Sequence, residues 1–242
     1  GNLTVNPDNT LALVMSHEPR FSGQIDFSYE ITRADGSRTV QNSTVSVQPS
    51  TQQAGWGAGN FYMLEEDRNG SIIVEQGDNH RKVYVSAGSD ALSLADIAAR
   101  EGVGVGQITQ AWLVAHPEYG GSAEMALDVN AGMQVWGAIN GTRAGANSNW
   151  LLFERGHQYN NLSNLIPWGT QGEDPLHPVH ITAYGEGRKP ILNSSVNIFG
   201  DRPVENVVFS DLDLKRGFTS LEGSNLILDN LSVTNTSTEA GK

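Results

Sequence analysis

Over the first fifty positions apolar and polar residues alternate in short runs: Leu3-Thr-Val5, Leu11-Ala-Leu13-Val14 and Gln24-Ile-Asp-Phe-Ser-Tyr-Glu-Ile-Thr32. A period of two puts every second side chain on one face and predicts half-buried strands. Asp35-Gly36 lies between two such runs and predicts a hairpin into Thr39-Val40 and Ser43-Thr-Val-Ser-Val47, the glycine supplying the positive φ of a tight turn. Pro49 to Gly59, rich in Gly and Gln, reads as a linker. Beyond it, two apolar runs flank Asp67-Arg-Asn-Gly70 and predict a second hairpin.

The period then changes. Leu94, Ile97 and Ala98 and, after Gly102, Ile108, Ala111, Trp112 and Ala115 recur at helical spacing, with Ser93 placed as N-cap. Val83-Tyr-Val85 before them and Met133-Gln-Val-Trp136 after them read as strands, giving strand, helix, helix, strand. After a Gly- and Asn-rich stretch from Gly137 to Asn149, alternation returns. Asn206-Val-Val-Phe-Ser-Asp-Leu-Asp-Leu214 overlays Asn225-Leu-Ile-Leu-Asp-Asn-Leu-Ser-Val233. In each copy two inward apolar pairs (Val207/Phe209 and Leu212/Leu214; Leu226/Leu228 and Leu231/Val233) are separated by a polar break, so that Asp211 should lie beneath Asn230. A repeat near twenty residues predicts a solenoid whose coils each supply one layer of core.

Three family resemblances run along the chain. Gly1 to Thr10, Phe21 to Ile31 and Asp35-Gly36 resemble the cadherin-like, VCBS-type repeats of large bacterial surface adhesins, implying an Ig-like β-sandwich portion over 1–49. Such repeats make Ca2+ the ion to consider, although Asn9 and Arg33 replace the Gly and Asp common there. Tyr84 to Gly88, Leu92 to Val103, His116-Pro117 and Asn130 to Val135 resemble a LysM domain, nearest to the LysM-like domains of bacterial polar-hub proteins. That implies a small α+β module over 83–139, with glycans containing N-acetylglucosamine as its ligand class. Trp150-Leu-Leu-Phe-Glu-Arg-Gly156 and Pro178 to Leu192 resemble the entry of pectate-lyase-like proteins and imply the first coils of a right-handed parallel β-helix over 148–242. With 50–82 as linker and hairpin, the expected fold class is mainly β, with an Ig-like portion, a small α+β module and a parallel β-helix.

Fifteen Lys and Arg stand against 27 Asp and Glu, a net charge of −12, which argues against a nucleic-acid partner. Without cysteine there is no disulfide scaffold, thiolate metal site or thiol nucleophile. No apolar run is long enough for a helical membrane span, and the first residues lack the layout of a signal peptide. Because Gly1 already reads as mid-strand, we expect a fragment or processed piece of something longer. Acidity and abundant Asn, Ser, Thr and Gly point to an extracellular or cell-surface setting, virion-associated proteins included.

Candidate chemistry is thin, and no catalytic residue can be assigned. Asp213, Lys215 and Arg216 follow the second inward pair of one coil, whereas the next coil offers Ser232, Thr234 and Asn235. Arg188-Lys189 and Lys215-Arg216 are tight basic pairs suited to anionic sugars, the plainer reading being a solvated edge. Trp168 and Tyr184, with Trp56 and Tyr159, are the aromatics to consider for stacking on sugar rings, against ordinary packing. The carbohydrate-binding set is therefore Tyr184, Arg188, Lys189, Asp213, Lys215, Arg216 and Trp168. His177 and His180 fall on opposite faces of a strand, so no metal is assigned to them. We expect an extracellular modular protein that binds a polysaccharide or cell-surface glycan. The alternatives are the N-terminal portion of a polysaccharide lyase, hydrolase or epimerase with its active coils downstream, and a fibre, spike or adhesin component built as a homo-oligomer.

Overall fold

The computed structural model describes residues 2–5, 11–14, 23–47, 64, 72–141, 144–160, 162, 165–198, 204–220 and 223–234. The chain divides into two compact units, Gly1–Ile73 and Val74–Lys242. It is rich in strands, with several parallel sheets and a helical segment.

In the first unit β1 (Asn2–Val5) pairs antiparallel with β2 (Leu11–Val14), Leu3 opposite Leu13. β3 (Gly23–Thr32) pairs antiparallel with β4 (Arg38–Val47), from Gly23 opposite Val47 to Thr32 opposite Arg38. The Asp-Gly turn forms where alternation places it. Gly36 has φ 79°, Asp35 Oδ1 accepts from the Ser37 amide at 2.9 Å, and the Arg33 amide donates to Ser37 O at 2.8 Å. Ile25, Phe27 and Tyr29 share the more covered face of β3, while Gln24, Asp26, Ser28 and Glu30 are exposed. β4 is continuous where the sequence suggested two runs. The 49–59 linker, Trp56, Asn9 and the hairpin expected at Asp67–Gly70 lie outside the described residues.

The second unit opens with β5 (Lys82–Val85). Then come α1 (Leu94–Glu101), α2 (Gln110–Ala115) and α3 (Val129–Ile139). β6 (Trp150–Glu154) and β7 (Gln158–Tyr159) follow. After them the chain makes β8 (Val179–Tyr184), β9 (Ile191–Leu192) and β10 (Val196–Ile198), then β11 (Val204–Ser210), β12 (Asp213–Leu214) and β13 (Phe218–Ser220), and finally β14 (Gly223–Asp229) and β15 (Ser232–Val233). These strands form three parallel sheets, in the orders β14-β11-β8-β6-β5, β15-β12-β9-β7 and β10-β13. Parallel neighbours need a long crossover; here the crossover from β8 to β11 passes through one strand of each of the other two sheets.

Alternation decides which side chains meet inside. Val83, Leu151, Ile181 and Phe209 occupy matching positions of neighbouring strands and are buried to 1 % exposure or less. Leu212 and Leu214 are fully buried, as the sequence pattern requires. The offset of 19 residues also holds, with Val207 opposite Leu226, Phe209 opposite Leu228 and Leu214 opposite Val233. One part of that expectation is corrected: Leu228 and Val233 are 48 % and 49 % exposed. An inward pair is covered by the layers above and below it, and among the described residues these two have a neighbouring layer on one side only.

Four side-chain-bearing residues lie in the left-handed region: Asn206 (φ 54°) and Asn225 (49°) bend β11 and β14 within their length, and Asp211 (61°) and Asn230 (46°) turn the chain from those strands into β12 and β15. Asn and Asp tolerate that region better than other L-residues. They also bond to one another across an interval of 19 residues. Asn225 Nδ2 donates to Asn206 Oδ1 at 2.7 Å, and Asn230 Nδ2 to Asp211 Oδ1 at 2.5 Å, so Asp211 and Asn230 stack as expected.

The helical segment is held at its ends. Ser93 caps α1, its Oγ accepting from the Asp96 amide at 3.2 Å while Asp96 accepts from the Ser93 amide at 3.0 Å. The Arg81 guanidinium donates to Val114 O and Leu113 O at 2.8 and 3.0 Å, satisfying carbonyls at the end of α2. The largest correction lies at Met133–Trp136, expected as a strand and found inside α3. Asp128 starts that helix by accepting from the Ala131 amide at 2.7 Å. The strand, helix, helix, strand order of a LysM-like module is therefore absent, and β5 pairs instead with β6, in parallel. Gly132 lets α3 close on β5, since a Cβ there would lie 2.5 Å from Val85 Cγ2. Residues 74–82 also belong to this unit: Glu173 accepts from the Asp78 and Asn79 amides at 3.1 and 2.6 Å.

Candidate functional site

The C-terminal end of α3 carries the most site-like feature among the described residues. Asn140, the C-cap, donates from Nδ2 to Trp136 O at 3.2 Å. The next residue, Gly141, has φ 86°, and a Cβ on it would lie 3.0 Å from Pro167 Cβ and from Trp168 O. Only a glycine therefore lets the 165–168 segment close on the helix end. The Trp136 indole donates to Leu165 O at 2.8 Å, and Thr170 turns the chain back through its hydroxyl and amide, both donating to Pro167 O (2.6 and 3.1 Å).

This junction leaves a pocket of about 410 Å³ lined by Gln110, Gly137, Ala138, Asn140 and Gly141, with Pro167 and Trp168 closing the other wall. Trp168 is 54 % exposed. Asn140 is 3 % exposed, and its Oδ1 has no hydrogen-bond partner. Gln110, the first residue of α2, donates from Nε2 to Gln134 O at 2.8 Å. No charged side chain of the described residues lines the pocket. Such a site stacks a ring against an indole and meets hydroxyls with amides and carbonyls.

The other expected residues are not gathered there. Lys189 Nζ donates to Asn230 O and Oδ1 at 2.5 and 2.8 Å, and Asp211 on the same ladder pairs with Arg155 at 2.8 Å. Asp213 pairs with Lys215 at 2.8 Å, and Lys215 reaches Thr234 Oγ1 at 3.2 Å. Lys189 and Lys215 thus reach residues much further along the chain, whereas Asp213 pairs within its own segment and its Oδ1 is buried without a hydrogen-bond partner. Arg188 and Arg216 are exposed, Arg188 lying 3.4 Å from Gly156 O.

Tyr184 enters a different cluster, at the C-terminal ends of β5, β6 and β8. Its ring meets Tyr84 edge to face at 4.9 Å. Ser86 donates to Glu154, and His157 Nε2 lies 3.6 Å from the same carboxylate. Burial, with the Glu154 charge beside it, pushes the Tyr184 phenol above its ordinary range, so it holds its proton and supplies no phenolate base near neutral pH. His177 and His180 go to different partners. His177 Nδ1 lies 2.8 Å from Asp174 and its Nε2 3.5 Å from Glu75, whereas His180 is buried against Ser210 at 2.7 Å.

Trp168 was thus legible as a candidate, but its neighbours Gln110 and Asn140 were not. They come from three separate segments, and neither amide sits in a motif. Comparison of the chain with protein-family models, curated proteins and solved structures finds no match.

Proposed function

We propose that this chain is part of an extracellular or cell-surface modular protein that binds polysaccharide, with residues 74–242 forming the opening coils of a right-handed parallel β-helix. The antiparallel pairs of the first unit are, in this reading, strands of a cadherin-like sandwich. Support for the β-helix comes from strands that visit three parallel sheets in turn and from the polar corners repeated 19 residues apart. Many activities occupy that architecture, so function has to rest on a site.

The observation that carries glycan binding is the exposed Trp168 indole at a pocket walled by amides and backbone. Catalysis within these residues gains no support from the charged groups, because Lys189 and Lys215 are engaged with Asn230 and Thr234 further along the chain and Asp213 is paired with Lys215. The test is retention of the chain on a panel of immobilised neutral and acidic polysaccharides. Retention on at least one, lost in Trp168→Ala, is the expected result. A chain that passes every matrix unretarded sinks the reading.

A further inference from the structure

We propose that the turn at residues 173–177 is a self-processing site, where the Asp174 carboxylate cleaves the Asp174–Pro175 peptide bond of its own chain. This is a single event within the chain, separate from glycan binding and independent of it. The sequence supplies the bond: Asp174-Pro175 is the one Asp-Pro pair in the chain. An aspartate can close a five-membered anhydride onto its own carbonyl carbon, and the tertiary amide nitrogen of proline is a more basic leaving group than an N–H amide. The fold supplies the geometry. The Gly172 amide donates to Glu205 O at 2.8 Å, a Cβ on Gly172 would lie 2.3 Å from Asn206 O, and β8 begins at Val179, so the turn is pinned at both ends. Inside it, Asp174 Oδ1 accepts from the Leu176 and His177 amides at 2.7 and 2.9 Å, which lays the carboxylate alongside the bond. The other oxygen, Oδ2, lies 2.8 Å from His177 Nδ1. The His177 amide also donates, at 3.3 Å, to Asp174 O, the oxygen on which negative charge would develop. His177 Nε2 lies 3.5 Å from Glu75, so the ring has an acceptor for an N–H on each side. Burial alone would raise the Asp174 pKa, but His177 and the two amides outweigh it and hold the carboxyl below its ordinary range, so the nucleophile is ionised at neutral pH.

In the step itself, Asp174 Oδ2 adds to the Asp174 carbonyl carbon and closes the anhydride. The bond from that carbon to Pro175 N breaks, its electron pair staying on nitrogen. As Oδ2 turns away from His177, the Nδ1 proton it held passes to the departing nitrogen. Water, which reaches Asp174 because its side chain is 48 % exposed, then opens the anhydride to two carboxylates. Its two protons restore His177 and charge the new Pro175 amine. The products are residues 1–174 and 175–242. They stay associated, since β8 on one side of the cut pairs with β6 on the other.

The test incubates the full chain in near-neutral buffer and follows it by denaturing electrophoresis and intact mass, beside the same chain unfolded in concentrated urea. Expected is cleavage between Asp174 and Pro175 at least about tenfold faster in the folded chain, the gain that a positioned nucleophile and proton donor bring. Dilute hydroxylamine should convert the anhydride into a hydroxamate on Asp174 of the N-terminal piece. Asp174→Ala should abolish the cut. Pro175→Ala, which keeps the carboxylate, and His177→Gln, which keeps a polar group at the turn, should each slow it roughly tenfold or more with the unfolding midpoint retained. A folded chain that stays intact, or is cut no faster than in urea, overturns the proposal. So does a cut that survives Asp174→Ala or yields no hydroxamate, since that is the work of a contaminating protease. Unchanged cleavage in His177→Gln removes His177 as the proton donor.

Discussion

A histidine enclosed in the second unit sets a pH limit. His180 lies on the outward side of β8, 8 % exposed, with Nε2 at 2.7 Å from Ser210 Oγ and Ser210 at 2.8 Å from Thr182 Oγ1. Its Nδ1 is buried and has no partner. A bare ring nitrogen without a donor costs less than a buried N–H without an acceptor, so the proton belongs on Nε2, donated to Ser210. Burial holds the ring's pKa at about 3, below its ordinary 6.5. The folded state keeps the ring neutral while the unfolded chain protonates it first. This contribution to stability is therefore complete above about pH 6.5 and drains away as pH falls toward about 3, at about 1.4 kcal/mol per unit. Urea unfolding across that window should show a shallower fall for His180→Gln than for the parent. Parallel pH profiles would contradict the assignment. The same residue shows what one dimension hides: the His-x-x-His spacing says that two rings diverge, but nothing in it reveals Ser210, thirty positions on.

At the level of elements, α1 was readable because Ser93 and an apolar 3-4 spacing agree, and the Asp-Gly hairpin because its turn chemistry is local. α3 was not. Five of its residues from Ala131 to Trp136 are buried, so its sequence is apolar nearly all round, and a short apolar run does not separate helix from strand by period. The available signal was Asp128, a cap three residues before Ala131. Two glycines of this helix should respond oppositely to alanine. At Gly132 the added methyl meets Val85 Cγ2 at 2.5 Å, and we expect a loss of about 1–3 kcal/mol despite alanine's better helix propensity. At Gly137 the methyl meets nothing within 4 Å, and a gain of up to about 1 kcal/mol is expected. Chemical denaturation of both variants decides; a stabilised Gly132→Ala would mean that α3 and β5 are not in contact.

For the whole molecule, the buried core of the second unit is drawn from residues 83–214, helices and parallel strands alike. A chain starting at Val74 should therefore retain the cooperative thermal transition of that unit, with calorimetry as the check; loss of the transition would show that the first unit is needed for folding. The parallel stacking was legible from the paired apolar positions and their polar break, because a repeat writes the same geometry twice. The merging of the helical segment with the strands was not, since β5 finds its partner in β6 only after more than sixty intervening residues. The left-handed corners carry one more consequence. Asn206 to Asp211 and Asn225 to Asn230 are equal intervals, so the chain carries its own ruler. An added residue inside either interval would put a neighbour with an ordinary Cβ into the bend and turn the apolar side of the strand outward. Length variation in this protein should accordingly collect in the loops outside those intervals, leaving the spacing between bends unchanged.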